Sequence, residues 1–296
     1  MKSFRSFVAV AIGLAASIYS VQSLAETKIR ICSGSENGSY HQAALMYQKA
    51  LERAGLDSEV LFDTGGSIGN KDMALNDECE VFLAQPDVIA NLKREEPVEA
   101  KRLMTLASLH DEYIILLTHR DGKVNELSDL ESYGKEAKIV VGDVYASGAA
   151  ATWANLVAED SDYGEVTIAT EEDDAELALE ELVHGNVDAI LLVTGMQANQ
   201  VLIEAQHLSD DIMIAPMDDG DVDDAKDIDG NKMLFSAGVP CNHLTEGLTS
   251  CTFGKTNTYK MTAQLYALRD KFTKKELKKL RRAARASAKV IRNALN

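Results

Sequence analysis

Short apolar runs alternate with helix-like stretches along this chain, and the alternation occurs in two successive sets. In the first set, residues 29–33, 59–62 and 81–84 have the composition of strands, and residues 39–54 have that of a helix. Alternation of this kind is typical of βαβ units around a parallel sheet. In open α/β sheets, ligands bind at the edge formed by the C-terminal ends of the strands.

The second set repeats the pattern from about residue 113. Its predicted strands are 114–118, 138–142, 165–169 and 187–193, and its predicted helices are 149–158 and 174–184. Two sets of units predict an α/β protein of two lobes with a ligand cleft between them. We expect lobe 1 to comprise residues 26–112 and 233–296, and lobe 2 to comprise residues 113–232.

The first 25 residues have the pattern of a secretory signal peptide. Lys2 and Arg5 precede an apolar run of about 12 residues, and the small residues Ser23 and Ala25 precede Glu26. The run is shorter than the roughly 18 to 20 residues of a membrane-spanning helix. We therefore expect export to the periplasm. The net charge of −17 argues against nucleic acid or an anionic membrane as the main partner.

Four cysteines in an oxidising compartment favour disulfide formation. Cys241 and Cys251 are predicted to pair because only nine residues separate them. Cys32 ends one predicted strand and Cys79 precedes another. In parallel neighbouring strands their sulfur atoms would lie too far apart to bond, so we expect two buried free thiols.

Three loops of the first half could hold a polar ligand where a strand ends and a helix begins. Residues 34–40, Gly-Ser-Glu-Asn-Gly-Ser-Tyr, and 64–67, Thr-Gly-Gly-Ser, would place N–H groups and hydroxyls at the positive end of a helix dipole. Gln85 and Asp87 follow the third strand at the same edge. Each loop alone is also compatible with ordinary helix capping, but three at one edge indicate a binding site.

Enzyme and metal-site signatures are absent from the sequence. It has no Gly-x-Ser-x-Gly, His-Glu-x-x-His or Cys-x-x-Cys motif, and its six histidines lack ligand spacing. The aspartates of residues 218–232 lack the spacing of a calcium loop. We expect no catalysis, no metal and no cofactor. Trp153 either lines the cleft or fills a core, and Arg120 either adds charge to the site or lies on the surface.

The C-terminal segment predicts an amphipathic helix. Thr273 and Glu276 form a capping box, and an apolar face follows it. Ten Lys or Arg residues lie between residues 271 and 296. This basic face either packs across an acidic lobe or docks to a membrane partner.

The loop motifs resemble those of the TAXI family, the solute receptors of TRAP transporters, in their order and spacing. The matching segments are 34–40, 64–67 with Asn70, 85–87, 147–148 and 188–195. The resemblance implies a type II periplasmic binding-protein fold. It also implies a small anionic or zwitterionic solute, such as glutamate, glutamine or 2-oxoglutarate, which is passed to the membrane subunits of the transporter.

Carried onto this chain, the resemblance implies contacts from both lobes. The implied lobe 1 contacts are Ser35, Gly38, Ser39, Tyr40, Thr64, Gly66, Ser67 and Gln85, with Asp87 orienting them. The implied lobe 2 contacts are Ser147, Gly148 and Gly195. For an amino-acid ligand, Glu36 or Asp87 would meet the ammonium group.

Helix N-termini make an anionic ligand compatible with the acidic surface, because distant surface charges are screened beyond about 8 to 10 Å. We expect a monomer. Two alternatives remain open. One is a periplasmic receptor that serves a sensor kinase or an ABC-type permease, and the other is an extracytoplasmic hydrolase or lyase with a base and a nucleophile in the cleft.

Overall fold

The structure is a computed structural model, and it describes residues 28–169, 175–197, 199–220, 222, 226, 230–249 and 255–296. The strands are β1 Ile29–Cys32, β2 Ser58–Leu61, β3 Val81–Ala84, β4 Leu103–His119, β5 Lys138–Val140, β6 Thr167–Ile168, β7 Ala189–Thr194, β8 Ile212–Ala215, β9 Phe235–Gly238 and β10 Asn257–Leu268. The helices are α1 Ser39–Arg53, α2 Ser67–Leu75, α3 Pro86–Glu95, α4 Pro97–Ala100, α5 Leu127–Tyr133, α6 Gly148–Glu159, α7 Ala175–Val183, α8 Gln200–His207 and α9 Lys274–Leu295. Short 3-10 helices form at Gly134–Glu136, Ser161–Glu165 and Arg269–Lys271. The predicted signal peptide lies outside the described residues.

The strands form one mixed sheet in the order β2-β1-β3-β10-β4-β7-β5-β6, with β8 paired to β4 and β9 paired to β10. β1 is parallel to β2 and β3, and β5 is parallel to β6 and β7. β4 and β10 are antiparallel to each other and to the parallel strands beside them. One long antiparallel pair therefore joins two parallel sets.

The antiparallel pair is interrupted near its middle. Ala263 of β10 lies opposite two residues of β4, Leu109 and His110, so that β4 carries one extra residue at this point. An extra residue of this kind bends a strand pair and redirects the side chains beside it. The sequence analysis predicted only residues 114–118 of β4 and no part of β10.

Buried apolar side chains form cores on both faces of the sheet. Val239, Leu244 and Leu248 pack in one core with Ile115 and Leu117. The sequence division assigned the first three residues to lobe 1 and the last two to lobe 2. The predicted limits of the lobes stay a prediction.

Trp153 fills the core beneath α6. Its side chain is 3% exposed and meets Tyr163 edge to face, with the ring centroids 5.7 Å apart. The sequence analysis predicted that Trp153 either lines the cleft or fills a core, and the structure shows that it fills a core. Within the described part of the chain, no helix has the length and apolarity required to cross a bilayer.

The predicted capping box of α9 is present. Glu276 donates its backbone N–H to the hydroxyl of Thr273 at 3.3 Å, and its carboxylate accepts the N–H of Thr273 at 2.8 Å. The apolar face packs with α1 and β4. Among the described residues, no ion pair joins a Lys or Arg of α9 to an acidic side chain. Docking of this basic face to a partner stays a prediction.

Cys32 and Cys79 form a disulfide, so the prediction of two free thiols was wrong. Their Cα atoms lie 6.0 Å apart. The prediction treated Cys79 as a straight extension of β3, but residues 76–80 form a turn with a positive φ at Asp77. This turn carries Cys79 back over the sheet face that holds Cys32 and Phe82. Cys251, the predicted partner of Cys241, lies outside the described residues.

The disulfide between Cys32 and Cys79 closes a long loop, since 47 positions separate the two residues. In the chain-entropy model a bond of this span stabilises the folded state by about 4 kcal/mol. We expect the double variant C32A/C79A to unfold at a clearly lower urea concentration than the oxidised wild type. Equal urea midpoints for the two proteins would contradict a stabilising role for this bond.

Candidate functional site

A cavity of about 370 Å³ lies between the two parallel sets, at the C-terminal ends of their strands. This volume is at the small end of the range for small-molecule sites. Nine of the twelve predicted contact residues line it, and they come from both predicted lobes. They are Ser35, Gly38, Ser39, Tyr40, Gly66, Ser67, Gln85, Ser147 and Gly148.

The other three predicted residues lie behind the wall of the cavity. The hydroxyl of Thr64 accepts the N–H of Gly34 at 2.7 Å and bonds to the side chain of Asn70. Asp87 is buried and accepts the hydroxyl of Thr152 at 2.8 Å, so that it joins α3 to α6. Burial raises the pKa of Asp87 to about 6.

Gly195, the third of these residues, packs against a buried histidine. A Cβ atom at Gly195 would lie 3.2 Å from Cδ2 of His110. Thr64, Asp87 and Gly195 thus support the loops and strands that form the cavity, and none of the three lines it.

The N-terminus of α1 opens on the cavity without a side-chain cap. Its N-cap residue is Gly38, which has no side chain to accept a hydrogen bond from the first turn. N–H groups at this position carry partial positive charge. The hydroxyls of Ser35 and Ser39 line the cavity at the same place. This end of the cavity offers hydrogen-bond donors to an anionic group.

The N-terminus of α2 has a different partner. The N–H groups of Ile68 and Gly69 donate to the carbonyl oxygen of Ala146 at 3.1 and 3.2 Å. Gly65 has a φ of +87°, and a Cβ atom there would lie 2.8 Å from Cβ of Ala146. Glycine is required at this position by both its backbone conformation and the close approach. The loop of residues 64–67 and the first turn of α2 therefore contact the opposite wall of the cavity.

Gln85 lies between Ser67 and the N-terminus of α6. Its backbone N–H donates to the Ser67 hydroxyl at 3.1 Å, and its side chain is 2% exposed. A Cβ atom at Gly148 would lie 2.4 Å from Nε2 of Gln85, so the amide packs directly on the α6 backbone. The amide oxygen has no hydrogen-bond partner among the described residues. An unpartnered acceptor therefore lies in the wall of the cavity.

Glu112 also lines the cavity, and the sequence analysis did not predict it. This β4 residue is 2% exposed, and its carboxyl group accepts the Tyr40 hydroxyl at 2.9 Å. The Tyr40 oxygen lies 3.0 Å from the Ser67 hydroxyl. Burial raises the pKa of Glu112 to about 8. The one signal in the sequence is an acidic residue two positions before the apolar run of residues 114–117.

His110 lies beside Glu112 and meets the Tyr40 ring edge to face, with the ring centroids 6.1 Å apart. Its Nε2 atom is 4.0 Å from Oε1 of Glu112, and within the described part of the chain neither ring nitrogen has a hydrogen-bond partner. Burial lowers the pKa of His110 to about 4, so the imidazole is neutral near pH 7. His110 supplies no positive charge to Glu112 at that pH.

Three residues that the sequence analysis considered as charged partners of a ligand do not line the cavity. The guanidinium of Arg120 donates to the carbonyl oxygens of Ser209 and Gly247, at 2.8 and 2.5 Å, on the surface. Of the two roles predicted for Arg120, the structure therefore shows the position on the surface. Glu36 is exposed and does not line the cavity, and the buried Asp87 does not line it either.

Thr194 and Asn199 are among the polar residues of the wall from predicted lobe 2 that the sequence analysis missed. Asn199 accepts the N–H of Leu202 at 2.9 Å as the N-cap of α8, and its amide donates to the Thr194 hydroxyl at 2.8 Å. Both Asn199 and Thr194 line the cavity. Ser147, which was predicted, caps α6 by accepting the N–H of Ala149 at 3.1 Å. The N-terminus of α6 is thus capped, unlike that of α1.

Comparison with known proteins gives a match at the level of structure. No protein-family model matches the chain, and no curated protein matches it by sequence. A TRAP periplasmic solute-binding protein from Desulfovibrio desulfuricans, with bound sn-glycerol-3-phosphate, superposes with a TM-score of 0.50 at 10% identity, over 91% of this chain and 79% of that one. A second such protein, from a Bradyrhizobium species in complex with galacturonate, gives 0.50 at 14% identity over 90% and 82%.

The chain has the two-lobed α/β fold of periplasmic binding proteins. The predicted fold class is therefore confirmed. In this fold the cavity described above lies in the cleft between the lobes.

The raised pKa of Glu112 predicts that stability depends on pH. Because the folded state holds this proton more tightly than the unfolded chain, ionisation of Glu112 destabilises the fold as the pH rises from about 4.5 to about 8. We expect Glu112→Gln, which cannot ionise, to raise the Tm more at pH 8.5 than at pH 5. The difference should be several degrees, since 1 kcal/mol moves the Tm of a protein of this size by about 2 to 4 °C.

The matched control is Glu36→Gln, which removes an exposed carboxylate outside the cavity. Its Tm difference from the wild type should be the same at both pH values. If the Tm difference between Glu112→Gln and the wild type is also independent of pH, burial does not raise the pKa of Glu112.

Proposed function

We propose that this protein is a periplasmic receptor that captures a small carboxylate or amino acid and delivers it to the membrane subunits of a TRAP-type transporter. The observation that carries the proposal is the cavity of about 370 Å³ onto which the uncapped N-terminus of α1 opens. A helix N-terminus binds anionic groups through N–H groups and the helix dipole. The solutes bound to the two similar solved structures, a sugar acid and a phosphate ester, are both anions.

The finer assignment to the TAXI family rests on the order and spacing of the loop motifs. Three features are part of the same proposal: a cleaved signal peptide over residues 1–25, a monomeric state, and glutamate, glutamine or 2-oxoglutarate as candidate solutes. The motif residues 34–40 and 64–67 meet at the cavity, which supports a shared binding mode.

Binding would hold the lobes together without making or breaking a covalent bond. The carbonyl oxygen of Ala146 already accepts two N–H groups of α2 across the cleft, and the Gln85 amide packs on Gly148. A ligand that contacts both walls adds to these interactions only when the cleft is closed. It therefore shifts the population toward the closed form, which a membrane partner can recognise.

The hydrolase alternative has one candidate pair at the cavity. Oγ of Ser33 lies 3.0 Å from Nδ1 of His41. The same hydroxyl donates to the carbonyl oxygen of Leu61 at 2.7 Å, which directs its proton away from the imidazole. A hydrolase needs that proton on the path to its base. The contact with Leu61 instead fits a structural role for Ser33 between β1 and β2.

The experiment is a thermal-shift screen of the purified mature protein against short carboxylates, hydroxy and oxo acids, uronates and amino acids, followed by calorimetry. One chemical class should raise the Tm. A ligand at 100 times its Kd stabilises the folded state by about 2.7 kcal/mol. If no compound in the panel raises the Tm, and an ester or peptide is turned over, the receptor proposal is wrong.

Two cavity variants test the location of binding. We expect Ser39→Ala and Gln85→Ala to weaken ligand binding by about tenfold or more, because a lost hydrogen bond to a charged group costs about 1.5 to 3 kcal/mol. The control is Ser132→Ala, at an exposed position of α5 that does not line the cavity. Calorimetric affinities that do not change in either cavity variant would place the ligand elsewhere.

A further inference from the structure

The cavity contains a buried carboxyl group without a positive partner. Glu112 is 2% exposed and lines the cavity. Among the described residues that line this cavity, none is Lys, Arg or His, and the other acidic one, Asp143, is exposed. An ionised carboxylate that is buried without a partner is costly. A cationic ligand group would remove this cost.

The groups that face Glu112 from its own and neighbouring elements supply no positive charge. Tyr40 of α1 donates one hydrogen bond, and burial raises its pKa well above 10, so it stays neutral. His110 of β4 is neutral near pH 7, and Asp87 of α3 is itself acidic. Glu112 therefore accepts one hydrogen bond and has further capacity to accept.

A second acceptor lies in the same wall of the cavity. The amide oxygen of Gln85 has no partner among the described residues, and Gln85 is connected to Glu112 through Ser67 and Tyr40. The hydrogen-bond donors of the cavity lie at the N-terminus of α1, beside Ser39. The cavity thus offers the carboxyl group of Glu112 as an acceptor to one ligand group and N–H donors to another. A molecule that carries both an ammonium and a carboxylate fits this arrangement.

We propose that Glu112 binds the ammonium group of an α-amino acid whose carboxylate lies at the N-terminus of α1. The inference rests on the proposed function and narrows its solute class from small carboxylates or amino acids to amino acids alone. Glu112 then determines specificity. An oxo or hydroxy acid of the same carbon skeleton brings no ammonium group and leaves the carboxylate unpaired.

The test compares matched pairs of amino and oxo acids, L-glutamate with 2-oxoglutarate and L-alanine with pyruvate, after a thermal-shift screen of the common amino acids. The wild type should bind the amino acid at least about tenfold more tightly than its oxo acid, because a site built for an N–H group discriminates strongly against its loss. Glu112→Gln should reduce this ratio about tenfold or more. Glu36→Gln, the exposed control, should leave the ratio unchanged.

The pH dependence gives a second, independent readout. If the ammonium pairs with ionised Glu112, binding releases a proton from a group whose pKa is about 8 in the empty cavity. The affinity of the wild type for the amino acid should therefore rise from pH 6 to about pH 8.5, which is below the range in which the ligand's own ammonium group loses its proton. Glu112→Gln retains Asp87 and His110, so the difference between the two profiles isolates Glu112.

The outcomes separate this inference from the proposed function. If the wild type binds an oxo acid as tightly as the amino acid, and the affinity for the oxo acid falls above pH 8, Glu112 is a neutral donor to an anion. In that case the inference is overturned and the receptor function stands. If neither amino, oxo nor other acids bind at any pH, the proposed function fails and the inference fails with it.

Discussion

The antiparallel pairing of β4 with β10 is the interaction on which the rest of the structure depends. These two long strands join the two parallel sets into one sheet and hold the C-terminal ends of both sets at a common cleft. The extra residue of β4 at His110 lies two positions before Glu112, and an extra residue of this kind bends a strand pair. A carboxyl group from a strand that belongs to neither parallel set thereby reaches the cavity.

The N-termini of α1, α2 and α6 lie at the cavity, and they differ in what occupies them. α6 is capped by its own Ser147, and α2 donates to Ala146 of the opposite wall. α1 has no side-chain cap and is open to a ligand. The same local chemistry, N–H groups at the positive end of a helix, therefore serves capping, lobe contact and ligand binding in three neighbouring places.

Local sequence patterns predicted most of the parallel part of the fold, together with the binding loops. The strand over residues 81–84 and the start of α1 at Ser39 are as expected, because buried apolar runs and glycine-containing loops carry strong local signals.

The sequence analysis missed β10, although Lys260 and Gln264 alternate with apolar residues along it, a pattern typical of a half-buried antiparallel strand. Glu112 was missed because its role depends on which strand passes beneath the cleft and on the extra residue beside it. The disulfide of Cys32 was missed because a turn at Asp77 changes the path of the chain in a way that strand register alone does not contain.

The most direct measurement is a crystal structure of the protein with the amino acid that stabilises it most. The account predicts that the ligand lies in the cleft, with its ammonium nitrogen about 3 Å from the carboxylate of Glu112 and its carboxylate at the first turn of α1. A ligand bound with the opposite orientation, or outside the cleft, would contradict it.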